Sequence, residues 1–214
     1  MRPPLLEYSA NRHDLIVLED TPYRHIRFSG QSLPTLKSLD TEGRVIHLGS
    51  FSKVLVPGLR IGWAVAAPDL LARLGLLKVA ADTQTSTLNM AAASLFLDRH
   101  DLAAHIATLR TAYARKKEAM LDAVRQHFPQ EITVTDPEGG LFIWATFPEG
   151  FDATAFMRDV ALPQARVAYV PGASFFPLTP RANHARLNFS AQSVENIRTG
   201  IAALGKALHA HLLS

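Results

Sequence analysis

Short apolar runs between helical patterns restrict how this chain of 214 residues can fold more than any other feature. Residues 15–18, 44–48 and 61–67 form such runs, and each is short enough to be one buried strand. Continuous apolar runs are typical of parallel strands that are covered on both faces. Because strands that alternate with helices indicate a parallel sheet, we predict an α/β fold. Three strands make a small sheet of this kind, so we expect these residues to be the C-terminal part of something longer.

Helical patterns fill the segments around these runs. Residues 4–13, 69–81 and 88–99 are predicted helices, and the polar hexapeptide 82–87 between the last two is predicted to be a loop. Residues 101–128 form one long helix, because its apolar positions recur at intervals of three, four or seven residues and make a single stripe. Its length and single stripe suit a connector between two lobes.

The pattern changes after this helix. Short strands are predicted at 132–134, 141–147, 167–170 and 185–189, with helices at 152–160 and at the C-terminus. This is the pattern of a small α+β domain. We therefore predict three parts, which are a partial large domain at 1–100, the connecting helix at 101–128 and the small domain at 129–214.

Composition excludes several classes of function. No apolar run approaches the ~20 residues that a membrane span needs, and the start of the chain lacks the pattern of a signal peptide. The chain has no cysteine, so it offers neither disulfides nor a thiolate metal site, and we expect no metal centre. The net charge is +3, and the basic residues are scattered rather than clustered, which argues against nucleic acid as a partner. We expect a soluble cytoplasmic protein.

The segment 47–63 contains the most suggestive chemistry. Ser50, Ser52 and Lys53 directly follow an apolar strand, and Arg60 precedes the next strand. Lys53 has two interpretations, a solvated surface lysine or an amine that forms a Schiff base with pyridoxal phosphate. In the second case the hydroxyls and Arg60 would hold the phosphate, because a guanidinium can bind two phosphate oxygens at once.

Asp20 and Tyr23 follow the first predicted strand. Parallel strands deliver ligand-binding groups at their carboxyl ends, so Asp20 is placed where a ligand binds. Its carboxylate could keep a pyridine nitrogen protonated, or it could simply cap a turn before Thr21 and Pro22. Tyr23 could donate to the ring oxygen of the same cofactor, or it could be a half-buried loop aromatic.

Arg186 lies in the predicted strand 185–189 beside apolar neighbours. A desolvated guanidinium needs a partner, which a bidentate carboxylate would supply, but Arg186 could also lie on the exposed face of its strand. Phe142, Trp144 and Phe147 belong to another predicted strand. We predict that these three aromatic residues are core residues rather than ligand contacts.

Together these motifs resemble a known family. The order is Asp20-x-x-Tyr23, Ser50-Phe-Ser52-Lys53, Pro57-Gly-Leu-Arg60-Ile-Gly62 and then Arg186-Leu-Asn-Phe, and it covers nearly the whole chain. It resembles the class I/II aminotransferases of fold-type I. The similarity is greatest to the branch that holds 2-aminoadipate aminotransferases and the aminotransferase-like domains of MocR-type regulators.

The resemblance implies a role for each motif residue. Lys53 would form the Schiff base with pyridoxal 5'-phosphate and shuttle the proton, while Asp20 and Tyr23 would contact the pyridine nitrogen and the ring oxygen. The phosphate would be bound by three residues, Ser50, Ser52 and Arg60. Arg186 would bind the carboxylate of the amino-acid substrate, and a 2-oxo acid would accept the amino group. The family also implies a homodimer.

The chain departs from the family in length. Family members have a long N-terminal portion that supplies further cofactor contacts and much of the dimer interface. The 214 residues of this chain contain no counterpart of that portion. The chain therefore resembles a fragment or truncated copy of an aminotransferase. A regulatory domain that binds the cofactor without turnover, or an inactive remnant, remains the alternative.

Overall fold

The computed structural model describes residues 9–213 and divides the chain into two compact units. The first unit extends to Leu109 and the second begins at Arg110. The division falls inside the predicted connecting helix. Of the predicted helix 4–13, residues 9–12 are helical and the part before residue 9 lies outside the described residues.

The first unit consists of a small sheet and the helices that follow it. Its elements are strand β1 (Val17–Asp20), the one-turn helix α1 (Leu36–Leu39), strand β2 (Val45–Ser50), a 3₁₀ turn (Pro57–Leu59), strand β3 (Gly62–Val65), and helices α2 (Pro68–Asp82) and α3 (Thr87–Arg99). These strands and both helices lie within a few residues of their predicted positions. Residues 83–86 separate α2 from α3, as the polar composition of that segment predicts.

The sheet of the first unit has the order β1-β2-β3, with β1 and β2 parallel. The third strand runs antiparallel to β2, which the helix–strand alternation did not predict. The reason is the connection, because residues 51–61 contain only turns and one 3₁₀ turn. A parallel return needs a crossover of a dozen or more residues, usually through a helix.

The predicted burial on both faces is wrong for β1 and β3, whereas the consecutive residues Val45 and Ile46 of β2 are both buried. Leu18 in β1 is 66% exposed, and Trp63 and Val65 in β3 are exposed as well. Helix α2 has no buried residue in the part of the chain that the structure describes, although leucine occupies five of its fifteen positions. Because α2 does not bury its apolar side chains, the sheet and this helix leave an extended apolar surface uncovered.

The second unit begins within the long helix α4 (Leu102–His127) and continues as a small α+β domain. Its other elements are strands β4 (Thr133–Val134) and β5 (Phe142–Thr146), helix α5 (Ala153–Phe156), a π-helical segment (Met157–Ala165), strand β6 (Val170–Pro171), a 3₁₀ turn (Gly172–Phe175), strand β7 (His184–Asn188) and helix α6 (Val194–Leu212). The sequence predicted β4, β5 and β7 to within a residue, whereas β6 shares only Val170 with the strand predicted at 167–170. The helix predicted at 152–160 extends to residue 165, and its second part is π-helical.

An antiparallel sheet of order β4-β5-β7-β6 forms the centre of the second unit. Alternation separates its faces, so Ile143 and Ala145 of β5 lie with Leu187 and Ala185 of β7 on the buried face. Helix α6 adds a buried stripe at intervals of three and four residues, which is Ile197, Ile201, Leu204 and Leu208. A methyl group on Gly205 would lie 2.3 Å from the His127 carbonyl oxygen, so a glycine lets α6 approach the end of α4.

A buried lysine ties α4 to the loop before β5. Lys117 is 7% exposed, and its Nζ donates to Asp136 at 2.7 Å and pairs with Glu118 at 3.1 Å. Burial by itself lowers the pKa of Lys117, but the hydrogen bonds to Asp136 and Glu118 outweigh it and raise the pKa. Lys117 is therefore a buried ion-pair partner rather than a solvated charge on the surface of its helix.

No helix within residues 9–213 combines the length and the apolar character that crossing a membrane requires.

Candidate active site

One edge of the first sheet carries the predicted site residues of the first unit. Asp20 is the last residue of β1 and pairs with Leu48, and Ser50 is the last residue of the parallel strand β2. Because β3 runs the other way, its first residue, Gly62, pairs with Ser50, and Arg60 lies two residues earlier. Ligands of open α/β sheets bind outside the carboxyl ends of the strands, which is this edge.

The turn that carries Lys53 is fixed on both sides. Ser50 Oγ accepts a hydrogen bond from the Ser52 backbone N–H at 3.0 Å and donates to the Ile61 carbonyl at 3.4 Å. Val54, the residue after Lys53, is 2% exposed and anchors the other end. The Ser50 hydroxyl thus already donates and accepts a hydrogen bond within the turn. To bind a phosphate as predicted, it would have to share or give up its hydrogen bond to the Ile61 carbonyl.

Lys53 and Tyr23 lie together. Lys53 Nζ is 5.7 Å from the centre of the Tyr23 ring, which is within the range of a cation–π contact. The Tyr23 loop is held by backbone hydrogen bonds, since the Thr21 N–H donates to the Leu48 carbonyl at 3.3 Å and the Ile26 N–H donates to the Tyr23 carbonyl at 2.9 Å. The fold therefore brings these two predicted site residues to the same place, although thirty positions separate them in the chain.

A cavity of about 280 Å³ opens beside Asp20 and Tyr23. Arg24, Ser32 and Leu33 also line it. The Arg24 Nη2 donates to the Leu33 carbonyl at 2.5 Å, which closes the loop around the cavity. The volume is close to the lower end of the range for small-molecule sites.

Glycine at position 49 permits a tryptophan to cover the strand that leads to Lys53. A methyl group on Gly49 would lie 2.2 Å from a carbon of the Trp63 ring, so only glycine fits below this ring. The ring also contacts Phe51, the first residue of the turn, with 4.9 Å between centres. The packing of Gly49, Trp63 and Phe51 therefore positions the start of the Lys53 turn.

Arg60 lies at the tip of a strained turn. Its φ of 53° is left-handed, which is uncommon for a residue other than glycine, and it follows the 3₁₀ turn Pro57–Leu59. Asn89 of α3 stabilises this turn because its Nδ2 donates to the Leu59 carbonyl at 3.1 Å. The Arg60 side chain is exposed, so its guanidinium is open to solvent on the sheet edge.

Glu19 supports the edge from the opposite face of β1, and sequence reasoning did not single it out. Its carboxylate accepts the backbone N–H groups of Leu36 at 2.7 Å and Lys37 at 3.0 Å, and His47 Nδ1 lies 3.1 Å away. Burial raises the pKa of Glu19, but these hydrogen bonds and the charge of His47 outweigh it and lower the pKa. The signal in the sequence was a second carboxylate directly before Asp20, since neighbours in a strand point to opposite faces.

Arg186 lies in the second unit on the sheet face opposite the core. It pairs across the strands with Trp144, and its guanidinium carbon lies 4.2 Å from the Phe142 ring centre and 4.9 Å from the Phe175 ring centre. The buried Nε of Arg186 has no hydrogen-bond partner within residues 9–213. Its guanidinium is therefore flanked by rings, with at least one buried donor unsatisfied.

The prediction that Phe142 and Trp144 are core residues is wrong, whereas Phe147 is buried as predicted. Phe142 and Trp144 are half-buried on the Arg186 face of the sheet. The sequence alone did not separate these two residues from Ile143 and Ala145, because the run is apolar on both faces of the strand. Nothing in the sequence marked Phe175, which follows β6, as a neighbour of Arg186.

His184 fixes the orientation of Trp144. The Trp144 Nε1–H donates to His184 Nδ1 at 3.2 Å, and the two rings are stacked with 5.6 Å between centres. Thr146 Oγ1 lies 3.1 Å from the same nitrogen. Burial and the charge of Arg181 lower the pKa of His184, although a hydrogen bond with the Ala145 backbone opposes them. Because Nδ1 accepts the Trp144 N–H, this nitrogen carries no proton in the arrangement.

The predicted residues thus form two groups. Asp20, Tyr23, Ser50, Ser52, Lys53 and Arg60 lie at one edge of the first sheet, and Arg186 belongs to the second unit. This edge of the sheet therefore carries an amine, a carboxylate, a phenol, hydroxyls and a guanidinium. Such groups can bind a cofactor that has an aldehyde, a ring nitrogen and a phosphate.

Comparison with known proteins identifies the family. The family model for aminotransferase class I and II matches residues 5–204 of this chain. The chain belongs to the class I and II aminotransferases. The resemblance that the motifs carried is therefore confirmed, and so is the α/β fold class, since the solved aminotransferases share the fold of this chain.

Individual aminotransferases resemble the chain over almost its whole length. The aromatic-amino-acid aminotransferase 1 of Thermococcus litoralis is 41% identical over 97% of this chain, and the 2-aminoadipate transaminase of Thermus thermophilus is 38% identical over 97%. The solved kynurenine aminotransferase of Pyrococcus horikoshii matches 98% of the chain with a TM-score of 0.92 and 38% identity. The chain covers 49%, 52% and 52% of these proteins, so it spans about half the length of the relatives it matches.

Proposed function

We propose that the edge of the first sheet holds pyridoxal 5'-phosphate and that the chain is the C-terminal part of an aminotransferase. The reaction would move an amino group between an amino acid and a 2-oxo acid. The observation that carries the proposal is the approach of Lys53 to Tyr23 beside Asp20, at the sheet edge where α/β proteins bind ligands. Membership of the class I and II aminotransferases supports it.

The residues at this edge fit the cofactor. Lys53 would bond its Nζ to the cofactor carbonyl, and Asp20 would hold a proton on the pyridine nitrogen because a nearby negative charge favours the charged form of the ring. Tyr23 would donate its hydroxyl to the ring oxygen. Ser52 and Arg60 would bind the phosphate, with Ser50 contributing to the extent that its turn hydrogen bonds allow.

The bound cofactor would supply an electron sink for the bond electrons of the substrate α-carbon. The chain would supply the groups around it. After the substrate amine has replaced it on the cofactor, the free Lys53 Nζ would take the proton from the α-carbon and return one, as a general base and acid. Arg186 would bind the substrate carboxylate, which is consistent with its unsatisfied buried Nε. We further propose that the working enzyme is a homodimer, as the family resemblance implies, and that it is cytoplasmic, as expected from the composition.

Absorbance spectroscopy tests the cofactor site. Purified protein mixed with pyridoxal phosphate should gain the visible absorbance of a cofactor joined to a lysine, and Lys53→Ala should lose it. Lys78→Ala is the matched control, because Lys78 is an exposed lysine of α2 whose Nζ pairs with Asp82 at 2.7 Å. No band in the intact chain, or an equal loss in both variants, would contradict the proposal.

Amino donors then separate an enzyme from a regulatory domain. An aminotransferase should convert the lysine-bound absorbance to that of the aminated cofactor when an amino acid is added, and a 2-oxo acid should reverse the change. A domain that binds the cofactor without turnover would keep its spectrum. Arg186→Lys should weaken the response to the amino acid while leaving the original band in place.

A further inference from the structure

A buried carboxylate joins three elements behind the candidate active site. Glu19 is the residue before Asp20, and its side chain is 9% exposed. Its oxygens accept the backbone N–H groups of Leu36 at 2.7 Å and Lys37 at 3.0 Å, and His47 Nδ1 lies 3.1 Å away. His47 is the residue opposite Glu19 in the parallel pair of β1 and β2. Glu19 therefore connects both strands to the start of α1.

The segment that Glu19 binds also forms one wall of the cavity beside Tyr23. Leu33 lines this cavity together with Asp20 and Tyr23, and it lies three residues before the start of α1. The Leu33 carbonyl accepts a hydrogen bond at 2.5 Å from Arg24, the residue after Tyr23. Hydrogen bonds and a short backbone segment therefore connect Glu19 to the Tyr23 loop.

We propose that Glu19 is a positioning residue, which fixes residues 33–37 so that the Tyr23 loop keeps its place beside Lys53. The inference rests on the proposed function, in which Tyr23 binds the ring oxygen of the cofactor. Glu19 acts from the face of β1 opposite Asp20, because neighbouring strand residues point to opposite faces. An ionised carboxylate only accepts hydrogen bonds, whereas a glutamine amide would present a donor to a backbone N–H. Glu19→Gln should therefore loosen the segment.

Asp40 provides a matched control at the other end of the sheet. Its side chain is 2% exposed, and its oxygens accept the backbone N–H groups of Arg44 and Val45 at 3.0 Å each. Val45 is the first residue of β2, whereas Ser50, at the candidate site, is the last. Glu19→Gln and Asp40→Asn thus each neutralise a buried carboxylate that accepts two backbone N–H groups, but only the first change lies next to the site.

Fluorine nuclear magnetic resonance of protein labelled with 3-fluorotyrosine tests the positioning without cofactor or turnover. The chain has four tyrosines, and the Tyr23 signal is the one that Tyr23→Phe removes. Glu19→Gln should shift or broaden this signal, because the ring no longer keeps one position against Lys53. Asp40→Asn should leave it unchanged.

Cofactor affinity and stability are then compared in the same two variants. Glu19→Gln should weaken the binding of pyridoxal phosphate about tenfold, since the apparent affinity falls with the fraction of molecules whose site is assembled. Asp40→Asn should keep the wild-type affinity. Both changes should lower the urea midpoint of the first unit, followed by Trp63 emission in a Trp144→Phe background. Loss of stability alone is thereby separated from loss of position.

A change at Leu36 tests the contact itself. Leu36 is the first residue of α1, a position that tolerates proline, and proline has no N–H to face the new amide. Glu19→Gln combined with Leu36→Pro should therefore recover part of the affinity that Glu19→Gln loses. Leu36→Pro alone removes one of the two backbone hydrogen bonds and should move the Tyr23 signal in the same direction, even where Glu19→Gln proves too unstable to purify.

Two results would overturn the inference. Glu19→Gln could leave both the Tyr23 signal and the affinity unchanged, or Asp40→Asn could alter them as much as Glu19→Gln does. Failure of the proposed function gives a different result, because wild-type protein would then show no absorbance band with pyridoxal phosphate. The fluorine signal of the cofactor-free protein would still report whether Glu19 positions Tyr23.

Discussion

Replacement of Gly49 by alanine should disturb the Lys53 turn through Trp63. The added methyl group would lie 2.2, 2.3 and 2.6 Å from three atoms of the Trp63 ring, which is far closer than atoms can pack. Overpacking of this kind typically costs about 1–3 kcal/mol of folding stability. Because the displaced ring also contacts Phe51, we expect the affinity for pyridoxal phosphate to fall together with the stability of the first unit.

Fluorescence can isolate the first unit. The chain has two tryptophans, Trp63 and Trp144, so a Trp144→Phe background leaves a reporter in the first unit alone. In urea, Gly49→Ala should lower the unfolding midpoint of this reporter and shift its emission before unfolding. Gly75→Ala is the control, since its methyl group would meet nothing within 4 Å and should stabilise α2 by about 0.5–1 kcal/mol.

A double variant decides whether the clash itself is responsible. Gly49→Ala combined with Trp63→Leu should be more stable than the sum of the single changes predicts, because the smaller side chain leaves room for the methyl group. Its unfolding is followed by circular dichroism, since it lacks the reporter. Strictly additive losses, or a Gly49→Ala protein with an unchanged midpoint and emission, would refute the packing argument.

Three further predictions concern charged groups. Hydrogen bonds hold the pKa of Asp40 at about 2 against the effect of burial, so the stability that its carboxylate contributes is complete above pH 4 and is lost as the pH falls from about 4 to 2. In urea unfolding, Asp40→Asn should lower the free energy of unfolding by about 2 kcal/mol at neutral pH and reduce the loss of stability between pH 4 and 2. Superimposable unfolding curves of the two proteins would contradict this prediction. Asp136→Asn removes a charged partner of the buried Lys117 and should lower the free energy of unfolding of the second unit, measured in urea, by about 1 kcal/mol. The added change Lys117→Met should restore part of this loss, because it removes the buried charge that had lost its partner. The fold lowers the pKa of His184, so on acidification the histidine is protonated first in the unfolded state, and the second unit should lose stability as the pH falls below about 6.5. His184→Gln should prevent this loss of stability. A wild-type unfolding midpoint that stays constant from pH 7 to 5 would refute the prediction.

Local chemistry in the sequence predicted most of the first site. Asp20, Ser50 and Lys53 follow short apolar strands, and the rule that parallel strands present ligands at their carboxyl ends placed them at one edge. The approach of Lys53 to Tyr23 depends on how two loops fold back, and the motifs implied it only through the family resemblance. Glu19 was missed because its role comes from backbone groups of α1, which no side-chain motif records.

Faces and directions of strands were harder to predict than their positions. The seven-residue apolar run that contains Phe142 and Trp144 is apolar on both faces, so its pattern does not tell which face packs on the core and which surrounds Arg186. The direction of β3 depended on the connection from β2, whose length excludes a crossover helix. The π-helical continuation of α5 includes Pro163, which a helix pattern alone would treat as an end.

The uncovered surface of the first unit changes how measurements on these 214 residues should be interpreted. Helix α2 has apolar residues on every side, although charged residues such as Arg73 and Lys78 interrupt them. Apolar side chains all round a helix normally indicate burial, yet Leu76 is 74% exposed within residues 9–213. The aminotransferases that match the chain are about twice as long, so their fold contains polypeptide that these residues do not span. Cofactor affinity measured on the chain alone therefore samples a sheet edge whose adjoining apolar faces are in water. A loss of binding in Lys53→Ala relative to Lys78→Ala is a sharper test of the site than the absolute affinity, because both variants share the same uncovered surface.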